Sequence, residues 1–568
     1  MRPRASLCKA HLVIVIVPMV LAASTLLLAQ ASSARQESPT LTLEKLAREK
    51  FGKLTPTELR VVEAAASGDV AWGDEEIGQP ETDAALEAAY RKQSNNPAKA
   101  TDYNWRDRRN VRADLIRWLC KDEEARKLVD QHGIDIIGAW IDGAVDLSQL
   151  HINFPVILKK CLLPQGIKLT SAEISDLELV GSWIGEDLAG ASGLERKALE
   201  GERLTVHGNV LLSNGFRAFR QVDLSDAKIE GQLYCTAGHF SDPGGNSLLL
   251  RLASIGGETS LRGGFSSDGV VDLEDAKING DLLLDGADFS ADSHNGIRAR
   301  HLTALALRWT HVRISDQTEL DLSNANIGIF EDDRQSWPAP GHLLIDGFVY
   351  GTLQGDASYA DARLAWLNLQ PLPHRRQPYE QLAKVFFDSG QSSDATLVRF
   401  ENAVGLFRSV EVCETVWQKQ LLDRVSVKHL TGAILERTVG FGYFPFGALR
   451  FMAFFVTAGT ILFGIGYSRG YIAPTEESAF DYFAKHRQPA PNYPPFNALL
   501  YSVEAFVPLI TFHQSDTWFP ISGRHKGWGA TFLRGYMSFH MIAGWTLVTL
   551  FVISLAPDGP ARLNPLWL

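Results

Sequence analysis

Three aspartates, Asp223, Asp272 and Asp321, recur at equal intervals of 49 residues in a chain of 568. Carboxylates held in pairs cleave glycosidic bonds, one as acid and the other as base or nucleophile. If each interval spans two coils of a stack with strands ~4.8 Å apart, successive aspartates come ~9.5 Å apart. That is the upper edge of the ~6.5–9.5 Å separation used by inverting glycosidases. The intervening sequence supplies no systematic acidic partner. Asp is also a common turn residue, because its side chain bonds the backbone two residues on. Turn and edge positions are the stronger reading; surface carboxylates of a carbohydrate-active β-helix are the alternative.

Other chemistry finds less support. Cys8, Cys120, Cys161, Cys235 and Cys413 form no CxxC and sit beside no histidine at ligand spacing, which argues against zinc and thioredoxin-like sites. They read as structural thiols rather than a disulfide framework. No Gly-x-Gly-x-x-Gly lies between a strand and a helix, and His-Glu-x-x-His and a haem-attachment CxxCH do not occur. No cofactor or metal is therefore expected. A net charge of −11, with no basic block interleaved with aromatics, argues against nucleic acid as a partner.

The element that carries the aspartates is a repeat. Val222-Asp223-Leu224-Ser225-Asp226-Ala227-Lys228-Ile229 returns as Val271-Asp272-Leu273-Glu274-Asp275-Ala276-Lys277-Ile278 and as Leu320-Asp321-Leu322-Ser323-Asn324-Ala325-Asn326-Ile327. Weaker copies fall between: Leu204-Val206-Gly208 lies 23 residues before Ala227-Ile229-Gly231, and Ala253-Ile255-Gly257 lies 26 after it. Ala276-Ile278-Gly280, Leu302-Ala304-Ala306 and Ala325-Ile327 continue the series, and Ala139-Ile141-Gly143, followed by Val145 and Leu147, marks its start. Alternation at period two reads as short strands with one buried face. Asp, Asn, Gly and Ser at the breaks suit turns with left-handed backbone. Repeats of this period signal a stacked architecture. A leucine-rich repeat would need its asparagine-bearing consensus and helical return segment, and both are missing. The expected fold over 138–370 is a β-solenoid, a parallel β-helix of pentapeptide-like coils, with Ile, Leu and Val stacked inside.

Ahead of it, residues 1–31 read as a signal peptide or signal anchor: Arg2, Arg4 and Lys9 precede the apolar run Leu12 to Leu28, and Ala29-Gln30-Ala31 suits cleavage. Residues 41–137 form a helical region and solenoid cap. Thr55-Pro56-Thr57-Glu58 is a capping box with proline at the first helical position. The polar segment 73–104 reads as linker, and Arg109 to Leu128 as one helix with Leu115, Trp118, Leu119 and Leu128 as its apolar stripe, placed to shield the open end of the solenoid.

Behind it, 371–440 reads as a helical linker domain and 441–556 as a membrane domain. Phe451 to Tyr467 and Tyr536 to Ala556 are apolar enough to span, with Phe441, Tyr443 and Phe444 as an interfacial belt. The run 496–512, interrupted by Glu504 and Pro508, reads as re-entrant or interfacial. Helix, short segment, helix is the order of a two-helix pore, for which Glu504 and His513 are the polar candidates. Leu509-Ile510-Thr511-Phe512-His513-Gln514 lacks the glycines of a potassium filter. Basic residues nearly balance around the spans; with an exported N-terminus, the interhelical loop faces the cytoplasm and the solenoid lies outside.

Val111-Arg112-Ala113-Asp114-Leu115-Ile116-Arg117, Gly138-Ala139-Trp140-Ile141-Asp142-Gly143-Ala144-Val145-Asp146-Leu147, the Asp-Ala-Lys-Ile-x-Gly coils and Gln377-Pro378-Tyr379-Glu380-Gln381-Leu382-Ala383 recur in one order before the C-terminal hydrophobic pair. This combination resembles a family of bacterial membrane proteins with degenerate pentapeptide-like repeats, over roughly residues 105–556. The resemblance implies a bacterial inner-membrane location. Some relatives carry an oxidoreductase label and others an ion-channel-like description, and no catalytic residues carry over. The expected function is a membrane-anchored solenoid that binds or scaffolds a protein or cell-envelope polysaccharide, non-enzymatic and open to oligomerisation. A channel-like protein with the solenoid as sensor is the alternative.

Overall fold

A computed structural model describes residues 38–73, 103–185, 197–291, 295–356, 358–417, 425–507, 509–521 and 527–556. The expected leader at 1–31 and nearly all of the polar segment 73–104 lie outside them. The chain divides into two compact units, 1–357 and 358–568.

The first unit is a parallel β-solenoid of about nine turns over residues 134–355, preceded by helices. A coil has four short strands, as in Lys228–Ile229, Leu233–Tyr234, His239–Phe240 and Asn246–Leu249. Each strand pairs in parallel with its equivalent one coil on, so the strands form four columns. Lys228 lies beside Ser254, 26 residues on, and Ser254 beside Lys277, a further 23. The 49-residue interval is therefore two coils. In the last turns the first two columns merge into seven-residue strands, Thr303–Trp309, Asn326–Asp332 and Val349–Gly355.

Inward-facing Val206, Ile229, Ile255 and Ile278 stack one per coil in the first column, all buried. Beside the aliphatic stacks runs an aromatic one. Phe216, Phe240, Phe265, Phe289 and Trp309 are fully buried, with successive ring centroids 5.3, 5.3, 6.0 and 5.8 Å apart. Such tilted contacts add to the apolar area each ring removes from water.

Left-handed backbone recurs at one corner of every coil, where a residue's N–H must reach the carbonyl of the next coil. Asp226, Asp275 and Asn324 hold this corner as the turn chemistry predicts. Stacking also imposes it on Arg203, Leu252 and His301, whose side chains disfavour it. Leu252 (φ 61°) is 56% exposed, so its side chain gains little from burial. Leu252→Asn is expected to raise stability by about 0.5–1 kcal/mol, read as a higher urea midpoint at unchanged slope.

The N-terminal region departs from the all-helical expectation in two ways. Helices α1 (Pro39–Phe51), α2 (Pro56–Ser67), α3 (Tyr103–Arg109), α4 (Ala113–Lys121) and α5 (Glu123–Leu128) are interspersed with two strands. Ala71–Trp72 pairs with Ile136–Ile137, and Asn110–Arg112 with Trp140–Asp142, so the cap completes the first coil. The helix expected over 109–128 is thus a strand and two helices, broken where the Asp122 carboxylate accepts the N–H groups of Glu124 and Ala125, each at 3.1 Å. The early copy around Ile141 belongs to the third column, beside Val111, whereas Ile229 lies in the first. Similar strand phrases on every side of a four-sided coil make the two look alike.

The capping box at Thr55 forms as expected, and Glu58 does more than cap. Its buried carboxylate accepts from Arg112 Nε at 2.6 Å and from the backbone N–H of Arg112 at 3.1 Å and of Thr55 at 2.9 Å. Burial pushes this carboxyl up, but the Arg112 guanidinium and those N–H groups outweigh it and hold it below the usual range. Arg112 thereby fastens α2 to the first coil.

The stretch 356–370, expected to continue the repeat, leaves it: the last coil strand ends at Gly355, and α6 (Ala360–Leu367) follows. In the second unit come α7 (Arg376–Asp388), α8 (Ser392–Trp417), α9 (Val425–Val439), α10 (Gly447–Ser468), α11 (Glu477–His486), α12 (Ala498–Phe506), α13 (Gln514–Thr517) and α14 (Gly527–Leu555). Gly390 (φ 79°) makes the turn between α7 and α8. Strands Ile472–Pro474 and Trp518–Pro520 pair antiparallel over a core of Trp518, Phe483, Ile472, Phe463 and Tyr501. The second apolar helix starts at 527 rather than at the expected 536.

Candidate functional site

The three repeated aspartates lie in the fourth column, on strands Val222–Asp223, Val270–Asp272 and Thr318–Asp321. Two rungs separate each from the next, through Leu249 and Arg298. Expected at the surface, they are buried, with 2%, 0% and 0% of their area exposed. The parallel strand directs each side chain into the coil edge, where it closes the turn that follows. One oxygen accepts the backbone N–H two residues on: Ser225 at 2.9 Å, Glu274 at 3.1 Å and Ser323 at 3.0 Å. The other takes a cation. Asp223 meets Lys197, Asp272 meets Arg251 at 2.9 Å and Arg298 at 3.1 Å, and Asp321 meets Arg300 at 2.5 Å. Asp146 repeats the pattern with Ser148 and Arg117.

Burial pushes the Asp223 carboxyl up, but hydrogen bonds from Lys197 and Ser225 prevail and hold it below the usual range. Lys197 shifts the opposite way: burial lowers it, and Asp223 and Glu202 more than restore it. These carboxylates are buried, with both oxygens engaged.

The outer face of the first column carries a ladder the sequence reading missed. His151 Nδ1 lies 2.6 Å from Glu173, and His207 faces Glu173 at 2.8 Å through Nε2 and Glu230 at 3.2 Å through Nδ1. Lys228 continues it, 2.6 Å from Glu230. With a carboxylate at each ring nitrogen, the His207 imidazole is pushed above its ordinary value, first by Glu173 and then by Glu230. The signal lay in the coil spacing: Glu173 and His151 are Cα partners, as are Thr205 and Lys228. Further along, this face mixes small neutral residues, Ser254, Gly256, Asn279, Gly328 and Gly351, with exposed Lys277, Leu305 and Val349. A face that runs from alternating charge to mixed small and apolar residues can dock a partner along the stack, as solenoid faces do.

In the second unit the sequence candidates separate. Glu504, on α12, is buried and accepts from Gln514 N at 2.8 Å and Ser515 Oγ at 2.6 Å, closing the loop behind α12. His513 is exposed and meets Asp516 at 3.1 Å. The polar centre lies elsewhere. Ser502 Oγ donates to the Val456 carbonyl at 2.9 Å, and His540 Nε2 lies 3.2 Å from the Ser502 carbonyl. A histidine within an otherwise apolar 21-residue run was the available signal.

Cys120, Cys161 and Cys235 are buried free thiols, and burial pushes the first two up to about 12. Cys8 and the Cys413 side chain lie outside the described residues. Among the described residues, no three His, Cys, Asp or Glu side chains are arranged to hold a metal ion.

No known protein family matches the chain, and neither a curated protein nor a solved structure matches it. The structure shows the solenoid and the two apolar C-terminal helices that the family resemblance implies.

Proposed function

We propose that this chain is a membrane-anchored β-solenoid that displays a binding or scaffolding surface outside a bacterial inner membrane, without catalysing a reaction. The observation that carries the anchoring is the surface of α10 and α14. The helices are 22 and 29 residues long, which at 1.5 Å per residue gives about 33 and 44 Å against ~30 Å of hydrocarbon. Their outward side chains are large and apolar: Phe454 and Ile542 are each 66% exposed, and Ile461, Phe539, Trp545 and Val552 are exposed beside them. Lipid is the environment that stabilises such a surface. The engaged aspartates favour binding over hydrolysis, and the laddered outer face offers a site for a protein or an envelope polysaccharide.

Expression with a tag and carbonate washing of membranes tests the anchor: the full chain should stay in the pellet, and a chain ending before α10 should not. Recovery of the full chain in the wash would defeat the anchoring reading. Protease added to spheroplasts should reach the solenoid if it lies outside. Cross-linking in intact membranes should recover a protein or polysaccharide on the His207 face, and Glu173→Lys should abolish it.

One observation favours a second, channel-like reading. Helix α12 has nine residues, about 14 Å, too short to span, and it packs between α10 and α14. The loop behind it leaves Leu509, Ile510 and Phe512 exposed. Purified protein that never conducts in planar bilayers would defeat this reading.

A further inference from the structure

The polar centre of the second unit is a single histidine enclosed by three helices. His540 is fully buried and lies near the middle of α14. Its Nε2 faces the Ser502 carbonyl at 3.2 Å and the Ser502 hydroxyl at 3.3 Å. A carbonyl only accepts, so Nε2 carries the proton. Nδ1 faces the Tyr536 hydroxyl at 3.4 Å and is left to accept. With the Tyr536 hydroxyl donating to Nδ1, both nitrogens of a neutral imidazole are satisfied.

The remaining walls are apolar. Phe463 of α10 stands edge-on at 5.6 Å, and Phe506 of α12 lies at 5.1 Å. The approach is close enough to require glycine on the facing helix: a Cβ on Gly459 would lie 2.3 Å from Ser502 Oγ and 2.7 Å from His540 Cε1. On the other side, a Cβ on Gly544 would lie 1.9 Å from the Phe506 carbonyl oxygen. The groups that face His540 are thus Gly459 and Phe463 from α10, Ser502 and Phe506 from α12, and Tyr536 from its own helix. None is a carboxylate. Glu504, the acid nearest in sequence on α12, is turned to Gln514 and Ser515. A second proton on the ring would create a buried cation with no counter-charge, which is costly in so enclosed a setting.

We propose that His540 is a proton-sensitive latch: neutral, it fastens α12 to the two long helices, and protonated, it releases α12 together with the loop behind it. Ser502 bridges the three helices, donating to Val456 of α10 while its carbonyl receives His540 of α14; a second proton enters at Nδ1, beside Tyr536 of the same helix, and the resulting cation is hydrated only when α12 moves away. The device goes beyond anchoring and rests on the packing of this unit; fractionation reads the anchor and a pH profile reads the latch, so either can fail alone.

The test is limited proteolysis of the full-length protein in detergent, scored as cleavage within 509–517, from pH 8 to pH 5. The wild type should be cleaved faster as pH falls, by up to about tenfold per pH unit below the midpoint, the slope of a single linked proton. His540→Gln keeps an N–H donor and cannot titrate, and should give a flat profile. Parallel profiles in the two proteins would overturn the latch. If the variant is open at every pH, the wild-type ring decides, observed by NMR after labelling with ¹³C-histidine. Protonation of His540 at the pH of loop opening supports the latch. A ring that stays neutral while the loop opens, or titrates while the loop stays closed, overturns it.

Discussion

Phe265→Ala is expected to destabilise the solenoid by about 4 kcal/mol, the cost of truncating a fully enclosed ring. Phe265 has no exposed area and contacts Phe240 and Phe289 on the neighbouring coils, with centroids 5.3 and 6.0 Å away. Truncation forfeits the transfer free energy and opens a cavity in the middle of the aromatic stack. The strands above and below are held by their own ladders, so the space cannot collapse. Urea unfolding followed by circular dichroism should show the loss, and Leu305→Ala provides the control. Leu305 is 61% exposed on the outer face, so its truncation should shift the midpoint little. A loss at Phe265 no larger than at Leu305 would mean that the aromatic stack contributes nothing beyond its neighbours.

Asp272→Ala is expected to cost about 3 kcal/mol, because it removes the acceptor of the Glu274 turn N–H and the shared partner of two guanidinium groups. Asp272→Asn should recover part of this, since its carbonyl can still close the turn. A catalytic carboxylate would behave differently, its neutral replacement leaving the fold intact while abolishing an activity. The column also carries a pH signature at Asp223. Its folded carboxyl sits below the usual range, so its stabilisation is present above the unfolded value and is lost as pH falls through the folded one. Acid titration of wild type against Asp223→Asn, monitored by circular dichroism, should show a smaller loss of stability on acidification in the variant, the remainder coming from groups such as Glu58.

Much of the architecture was legible because each coil must repeat the same few interactions. The interval of 49 residues set the stack, and the alternation of 23 and 26 within it returned as the spacing of hydrogen-bonded partners. The capping box at Thr55 and the two apolar helices were legible for the same reason: their physics is local to a few turns of chain. Boundaries were less so. The break at Asp122, the strands at Ala71 and Asn110 and the departure from the repeat before Ala360 depend on which neighbouring coil offers a partner, and a local pattern does not carry that information.

The sites divide along the same line. Phe216, Phe240, Phe265 and Phe289 recur at 24 to 25 residues, a signal obscured by the stronger Asp-Leu phrase. That Asp223, Asp272 and Asp321 repeat is a property of the sequence. That they are buried, each divided between a turn N–H and a cation, arises because residues 21 or 26 apart in the chain become neighbours only when coils stack. Likewise, composition marked Glu504 and His513 as polar groups among apolar ones. Only the packing of three helices engaged Glu504 in its own loop, left His513 in the open and enclosed His540, because burial is decided by which surfaces meet and not by the residues that flank a position.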